Sequence, residues 1–313
     1  MSINISAKRL ILDQIILFAF ILLLIMLSIF VPSFFTLRNI LNILRQSSTL
    51  GIIACGMTIV LINGCIDLSV GSVVGLAGVL SISFLYRSLW LAILVPLLIA
   101  VLIGFLNGFI TTRLKVNSLI VTLGSLTIVR GLALLFTRGR VVVGILDSPY
   151  LLIAGGNFFG RISNQIVIFF MTAIILGLLL HKTRFGRHVF CIGTNFEASR
   201  IVGISAEKII IINFIISAVC ATVSSILISS RLNIASPVTG EGLEFDAITA
   251  VVIGGTSLFG GIGSLPKTIL GILFLASLTN AMVLLNLHFS FQYLVKAVIF
   301  ILFVYLDIRF RGI

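Results

Sequence analysis

Residues 88–112 read SLWLAILVPLLIAVLIGFLNGFITT, a run of 25 residues without a charged side chain. About 20 mainly apolar residues suffice for a helix to cross the hydrocarbon core of a bilayer, so this stretch predicts a transmembrane helix. The rest of the chain has the same character, because 59% of its 313 residues are hydrophobic and only 10% are charged. Soluble domains carry about 25% charged residues. The composition therefore excludes a water-soluble enzyme, a disordered chain and a disulfide scaffold.

Ten apolar stretches of this kind predict an all-α, polytopic bundle of about ten spans. They are residues 13–31, 46–66, 68–86, 88–112, 117–136, 162–181, 209–230, 247–265, 268–287 and 292–306. The first is interpreted as an uncleaved helix, because its apolar run is longer than that of a signal peptide and no small-residue cleavage site follows it. Residues 1–313 are expected to form a single transmembrane domain.

The positive charge of the chain predicts its orientation. The net charge is +12, which on a membrane protein indicates loops held at an anionic membrane face rather than a nucleic-acid partner. An even number of spans puts both termini on one side. If that side is the cytoplasm, it receives twelve Lys and Arg residues and the opposite side receives seven. The positive-inside rule therefore predicts cytoplasmic termini.

Motifs for catalysis and nucleotide binding are absent from the sequence. It contains no G-x-x-x-x-G-K-[ST], so it cannot bind ATP through a P-loop, and no H-E-x-x-H or G-x-S-x-G. The four cysteines form no C-x-x-C pair, and the three histidines fall at span edges or in loops. The sequence thus predicts neither a catalytic site nor a metal site.

The acidic residues are informative because eight of the nine lie in loops or at span ends, and only Asp67 sits within a long apolar stretch. An Asp before an apolar helix is a natural N-cap. It is also suited to a polar pathway or gate, since irregular backbone inside a membrane needs protein or water around it. Both interpretations stay open. So few carboxylates disfavour proton coupling, whereas Na⁺ coupling through backbone carbonyls stays open.

Two glycine-rich stretches interrupt apolar runs in different halves of the chain, residues 64–78 and 254–271. Such paired interruptions are typical of a transport pathway, but close packing of helices through small residues produces the same pattern. Arg130 and Lys296 fall within predicted spans near one face, where long basic side chains serve as interfacial anchors.

Four segments in consistent order resemble the bacterial ABC sugar permeases of the ribose type, a family whose branch includes permeases for autoinducer-2. The segments are residues 56–73 (with NGCIDLSVGSV at 63–73), 120–133, 183–204 and 243–263 (LEFDAITAVVIGGTSLFGGIG). The resemblance extends over residues 40–307. Cys65 stands where the family commonly has Gly, and Ser199 where it commonly has Ala; both replacements are small.

The resemblance implies a type II-like importer permease that moves a monosaccharide across the bacterial inner membrane by alternating access. Two permease subunits would form the pore, separate cytoplasmic ATPase subunits would hold ATP and Mg²⁺, and a periplasmic sugar-binding protein would deliver the substrate. The chain itself would need no cofactor and would not be an enzyme. The alternatives are an autoinducer-2 permease and a stand-alone, ion-coupled secondary transporter.

The resemblance also implies a cytoplasmic coupling segment, residues 182–208, that docks on the ATPase. Asn195 is suited to cap a short helix there, Glu197 is favoured in its first turn, and Gly203 can end it. The predicted coupling residues are Gly193, Asn195, Glu197, Ala198, Ser199, Arg200 and Gly203. A basic loop resting on anionic lipid is the alternative.

Two further sets of residues are candidates for transport. The pathway or gate set is Asn63, Asp67, Ser69, Gly71, Ser72, Glu244, Asp246, Gly254, Gly255 and Thr256. The set for docking the binding protein is Arg138, Arg140, Arg161 and Arg231, since arginine pairs bidentately with carboxylates. For each of these arginines, ordinary solvated charge is an equally good interpretation. Whether the glycines at 254–263 break a helix or let helices approach is also open.

Overall fold

A computed structural model describes residues 5–31, 33–158, 160 and 162–311, and these residues are largely helical. Their thirteen α-helices are α1 (Ile5–Phe30), α2 (Leu37–Ile62), α3 (Val70–Leu85), α4 (Leu89–Arg113), α5 (Ser118–Thr137), α6 (Leu152–Gly155), α7 (Asn164–Lys182), α8 (Arg184–Thr194), α9 (Phe196–Ile201), α10 (Ala206–Leu232), α11 (Leu243–Ile253), α12 (Leu265–Leu284) and α13 (Phe289–Arg311). Four two-residue strands accompany them: β1 (Val142–Val143), β2 (Asn157–Phe158), β3 (Ile162–Ser163) and β4 (Ile234–Ala235).

The predicted polytopic helical bundle is confirmed. Within the described residues, seven helices are long and apolar enough to cross a membrane, namely α2, α4, α5, α7, α10, α12 and α13. Residues 16–30 of α1 and the whole of α3 are shorter apolar helices that coincide with predicted spans. The second helix begins at Leu37, earlier than predicted, because the Thr36 side chain caps it by accepting the Asn39 N–H.

The predicted eighth span, residues 247–265, is wrong as a continuous helix. Helix α11 ends at Ile253 after 11 residues, which is about 16 Å and roughly half of the hydrocarbon thickness. Residues 254–264 are not helical, and Gly255, Gly260 and Gly261 have φ angles of +80°, +86° and +74°. Residues with a Cβ rarely adopt this conformation. The glycines therefore break the helix.

Helix α10 is the centre of the bundle and packs against α2, α3 and α4. Its contact with α4 depends on glycine. A Cβ at Gly104 would come within 2.6 Å of Ile215 Cα, and a Cβ at Gly108 within 2.6 Å of Ile211 Cα. Close backbone approach through small residues is a usual way to pack membrane helices, which have no hydrophobic effect to drive them together.

The long connection between α5 and α7 folds over one end of α10. Strand β1 pairs antiparallel with β4, with Val142 opposite Ala235. Tyr150 is fully buried, its hydroxyl lies 2.6 Å from Ser229 Oγ, and Ser230 donates to its carbonyl at 2.6 Å. Burial raises the pKa of the Tyr150 phenol above its usual value. The described residues of this connection therefore pack over one end of the bundle.

Candidate translocation pathway and coupling segment

The first part of the site lies where the N-termini of α3 and α11 meet. Gly71 is in the first turn of α3 and Glu244 in the first turn of α11. A Cβ at Gly71 would overlap Glu244 Oε2 and lie 2.5 Å from the Gly240 carbonyl oxygen. Gly240 and Gly242 have φ angles of +87° and +85°, which turn the chain into α11. The structure thus joins residues of the two segments that the sequence analysis quoted from opposite halves of the chain.

Both N-termini lie inside the thickness of the bundle. Asn107 donates to Ser69 Oγ at 3.0 Å and lies six residues before the end of α4, which is about 9 Å along the helix axis. Arg130 lies seven residues before the end of α5, or about 10 Å from the opposite face. It donates to the carbonyls of Pro237 and Thr239, at 2.5 and 3.1 Å. Residues 236–242 are therefore irregular backbone held within the thickness of the bundle by Arg130, and Val238 and Glu241 remain exposed there.

Glu244 is the buried acid of this region, with 5% of its surface exposed. Its Oε1 accepts the Gly242 N–H at 3.3 Å, and its Oε2 has no hydrogen-bond partner among the described residues. Arg130 attracts the carboxylate electrostatically from the other side of the 236–242 segment. Arg130 is therefore not a free interfacial anchor, because it holds this segment in place.

Asp67 belongs to a buried polar network at the start of α3. Its Oδ1 accepts both the backbone N–H and the hydroxyl of Ser69, at 3.0 and 2.6 Å. Ser69 is the N-cap residue of α3 and its own side chain forms no cap bond, so Asp67, two positions earlier, is the side chain that accepts a backbone N–H at the start of this helix. Asp67 Oδ2 has no hydrogen-bond partner among the described residues, and Ser217 of α10 faces the same carboxylate. Ser72 donates to the Ser69 carbonyl at 2.8 Å.

The remaining predicted pathway residues lie on the far side or at the far end of α11. Asp246 accepts from Lys296 Nζ at 2.8 Å, so Lys296 ties α13 to α11 rather than serving as an anchor. A Cβ at Gly254 would approach the Lys267 carbonyl oxygen at 2.7 Å. Thr256 is fully buried. The structure thus divides the predicted pathway set between the two ends of α11.

Three backbones meet at the end of α11 in what we call the glycine junction, formed by Gly64, Gly193, Gly260, Gly261 and the carbonyl of Ile62. Gly261 N–H donates to the Ile62 carbonyl at 2.7 Å. A Cβ at Gly193 would overlap the same carbonyl oxygen, and a Cβ at Gly260 would lie 2.8 Å from the Gly193 carbonyl oxygen. The end of α8 is therefore in direct contact with the breaks that follow α2 and α11. Asn63, the C-cap of α2, lies beside the junction.

The predicted coupling segment, residues 182–208, contains helices α8 and α9. The predicted cap and stop of α9 are confirmed: Asn195 Oδ1 accepts the Ala198 N–H at 2.9 Å, and Gly203 ends the helix with a φ angle of +83°. Ser199 is buried and donates to the Asn195 carbonyl at 2.8 Å. Asn195, Ser199 and Gly203 therefore shape the segment.

The exposed tip of α9 includes two residues that the sequence analysis did not select. Ile201 is 85% and Val202 is 73% exposed. Glu197, Ala198 and Arg200 are exposed beside them, and Glu197 pairs with Arg200 at 3.8 Å. The signal in the sequence was a pair of adjacent apolar residues directly before Gly203, the residue predicted to end the helix.

The arginines at the opposite face lie near the ends of α5 and α10. Arg138, Arg140 and Arg231 are exposed, and the pairing of β1 with β4 brings their two helix ends together. Arg231 is close enough to Arg45 of α2 for mutual repulsion, and neither forms an ion pair with a described residue. Arg161 lies outside the described residues. Arg45 is a member of this group that the sequence analysis missed.

A comparison with known families identifies the chain. A family model described as "Branched-chain amino acid transport system / permease component" matches residues 39–305. The chain belongs to this permease family. The resemblance inferred from the four segments is therefore confirmed. This permease is a membrane transport subunit of an ABC importer, not itself an enzyme, and it works with separate ATPase and substrate-binding partners.

Individual relatives of the permease match along nearly all of its length. The L-arabinose transport system permease protein AraH of Escherichia coli K12 is 40% identical over 282 residues, covering 90% of this chain and 85% of the relative. The ribose import permease protein RbsC of Bacillus subtilis 168 is 38% identical, covering 91% and 89%. The RbsC protein of Haemophilus influenzae is 36% identical, covering 97% and 95%. No solved structure matches the permease significantly.

Proposed function

We propose that this permease imports a monosaccharide, of the pentose class, across the bacterial inner membrane. The observation that carries the proposal is the identity of 36–40% with permeases named for arabinose and ribose, sustained over at least 90% of the chain. Its ATPase partner would hold ATP and Mg²⁺, as the missing P-loop requires. Residues 1–313 would form one transmembrane domain, paired in the membrane with a second permease subunit.

The tip of α9 is the proposed contact with the ATPase. Ile201 and Val202 expose apolar side chains beside the exposed Glu197, Ala198 and Arg200. Apolar anchors within a polar rim are typical of protein interfaces. In this arrangement both termini are cytoplasmic, on the same side as the coupling segment, as the distribution of Lys and Arg predicts.

The proposed mechanical route runs from α9 through α8 to the glycine junction. Because Gly193 contacts the Ile62 carbonyl and the 254–264 break directly, a displacement of α8 must move the ends of α2 and α11. Helix α11 carries that displacement to Glu244 against Gly71 at its other end. We propose that the two states of alternating access differ in how closely the N-termini of α3 and α11 approach.

The opposite face is the proposed docking site for the binding protein. Arg45 and Arg231 form an adjacent cationic pair, and Arg138 and Arg140 extend the positive surface from the end of α5. Carboxylates of a binding protein would form charge-assisted bidentate bonds with these guanidinium groups. Arg161, outside the described residues, is a further candidate for this surface.

Reconstitution in liposomes tests the proposal. Liposomes that contain permease, ATPase and binding protein together should accumulate radiolabelled arabinose or ribose only when ATP is present on the side of the membrane that carries the ATPase. Unlabelled sugar should compete. Uptake without ATP that collapses with an ionophore would instead identify an ion-coupled secondary transporter. Competition by autoinducer-2 but by no pentose would replace the proposed substrate while leaving the importer assignment intact.

A further inference from the structure

A groove of about 320 Å³ runs along the outer surface between α7 and α12. Its walls are Phe170, Ala173, Ile174, Gly177, Leu178 and Ile269, all without a polar side chain. Gly177 is one of the lining residues, and a Cβ there would meet no atom within 4 Å. The groove therefore opens to whatever surrounds the bundle, which along α7 and α12 is the hydrocarbon of the membrane.

Basic side chains stand at only one end of this groove. His181 and Lys182, in the last turn of α7, complete the lining there with Leu265 and Pro266 at the start of α12. Both basic residues are exposed, and Lys182 forms no ion pair with any described residue. Because the polar coupling segment begins at this point, the basic end lies at the membrane interface and the apolar remainder extends into the hydrocarbon.

We propose that the groove is a binding site for an anionic phospholipid, with an acyl chain between α7 and α12 and the phosphate at Lys182 and His181. The groove fits a chain better than a helix: a helix about 10 Å across fills roughly 1,400 Å³ over the about 18 Å from Phe170 to Lys182, several times the 320 Å³ of the groove. A sugar would find no hydrogen-bond partner along the walls. Basic groups at the interface attract anionic headgroups. They attract a zwitterionic headgroup less, because it carries no net charge.

The site adjoins the coupling segment directly. Helix α8 starts at Arg184, two residues after Lys182, and the His181 ring lies 6.1 Å from the Phe190 ring of α8. A headgroup held at Lys182 would therefore contact the hinge between a membrane helix and the segment that leads to the glycine junction. We expect the lipid to favour one position of α8, a role that would rest on the proposed function, whereas the binding itself does not.

Native mass spectrometry of the purified full-length permease tests the binding. Phosphatidylglycerol and phosphatidylethanolamine are titrated against four variants that must first match the wild type in thermal unfolding. Gly177→Phe fills the groove and Lys182→Gln removes the charge. Gly124→Phe is the matched control for bulk, because a Cβ there also meets nothing within 4 Å, and Lys208→Gln is the control for charge on the same face.

Wild type and both controls should bind phosphatidylglycerol more tightly than phosphatidylethanolamine. Lys182→Gln should weaken the binding of phosphatidylglycerol about fivefold, which is the effect of one lysine near an anionic headgroup. Gly177→Phe should abolish the specific binding. Equal retention of both lipids, or equal loss in Gly124→Phe, would overturn the proposal. The proposal would also be overturned if the Gly177→Phe variant kept its lipid and instead lost a second permease subunit, since that subunit would then be the occupant of the groove.

Discussion

Replacing Gly193 by alanine should separate ATP hydrolysis from transport. The new Cβ overlaps the carbonyl oxygen of Ile62 and lies 2.6 Å from the Gly261 nitrogen. Both neighbours are backbone atoms joined by a 2.7 Å hydrogen bond, so no side-chain rotation relieves the overlap. To regain ordinary van der Waals separation, α8 must withdraw from the junction by at least about 1 Å.

The magnitude follows from two terms. Overpacking of a well-packed contact costs about 1–3 kcal/mol, and loss of the Gly261–Ile62 hydrogen bond costs about 1 kcal/mol. Together they favour the withdrawn position by about 2–4 kcal/mol, or roughly 30-fold to several hundredfold in population. The tip of α9 is untouched, so docking of the ATPase should persist while sugar uptake falls at least about tenfold.

The assay measures uptake and ATP hydrolysis in the same proteoliposomes, with permease levels determined by immunoblot. Gly124→Ala is the matched control, since its Cβ would meet nothing within 4 Å. Gly261→Ala places a Cβ in the same junction, on the segment that follows α11 and 2.8 Å from Thr194 Oγ1. This variant should reproduce the uncoupling. Normal uptake by both junction variants at normal membrane levels would refute the proposed route.

Three further changes probe separate parts of the structure. Ile201→Asp should weaken ATPase association about tenfold or more, because it removes an apolar anchor worth about 1.5–3 kcal/mol when buried; unchanged co-purification would exclude the α9 tip from the interface. Asp246→Lys should lower stability by about 1–3 kcal/mol by breaking a partly buried pair, and the swap of both charges with Lys296→Asp should restore most of it, as thermal unfolding in detergent will measure. Tyr150→Phe should cost about 1 kcal/mol of unfolding free energy, because the bond to Ser229 is lost; an identical melting temperature would argue that the α5–α7 connection contributes no stability there.

The features predicted well from sequence are those decided by neighbouring residues. The charge-free run at 88–112 became α4 because its length and apolarity alone suit a bilayer span. Helix α9 begins after Asn195 and ends before Gly203, as predicted. An N-cap side chain and a glycine with a positive φ angle both act within one helical turn. Here local chemistry and final structure agree.

The features that were missed depend on contacts between distant segments. For the run 247–265, the sequence left open whether the glycines break the helix or let helices approach, and the contacts of Gly260 and Gly261 with distant segments decide for a break. No local pattern places Gly71 against Glu244, because that contact depends on the turn at Gly240 and on Arg130 reaching across from α5. Lys296 was predicted to be an interfacial anchor because its partner, Asp246, lies on another helix and no local sequence pattern reveals the pair.

The short length of α11 gives the proposed coupling route its physical basis. Helix α11 has only 11 residues, about three turns, and most of them are buried. Its ends are in contact with the glycine junction and with Gly71, and Asp246 ties its side to α13 through Lys296. In the proposed route a helix this short moves as one rigid body, so a displacement at the glycine junction reaches Glu244 at the other end. A continuous eighth span could not respond in this way, because its displacement would have to disturb the packing of the entire bundle.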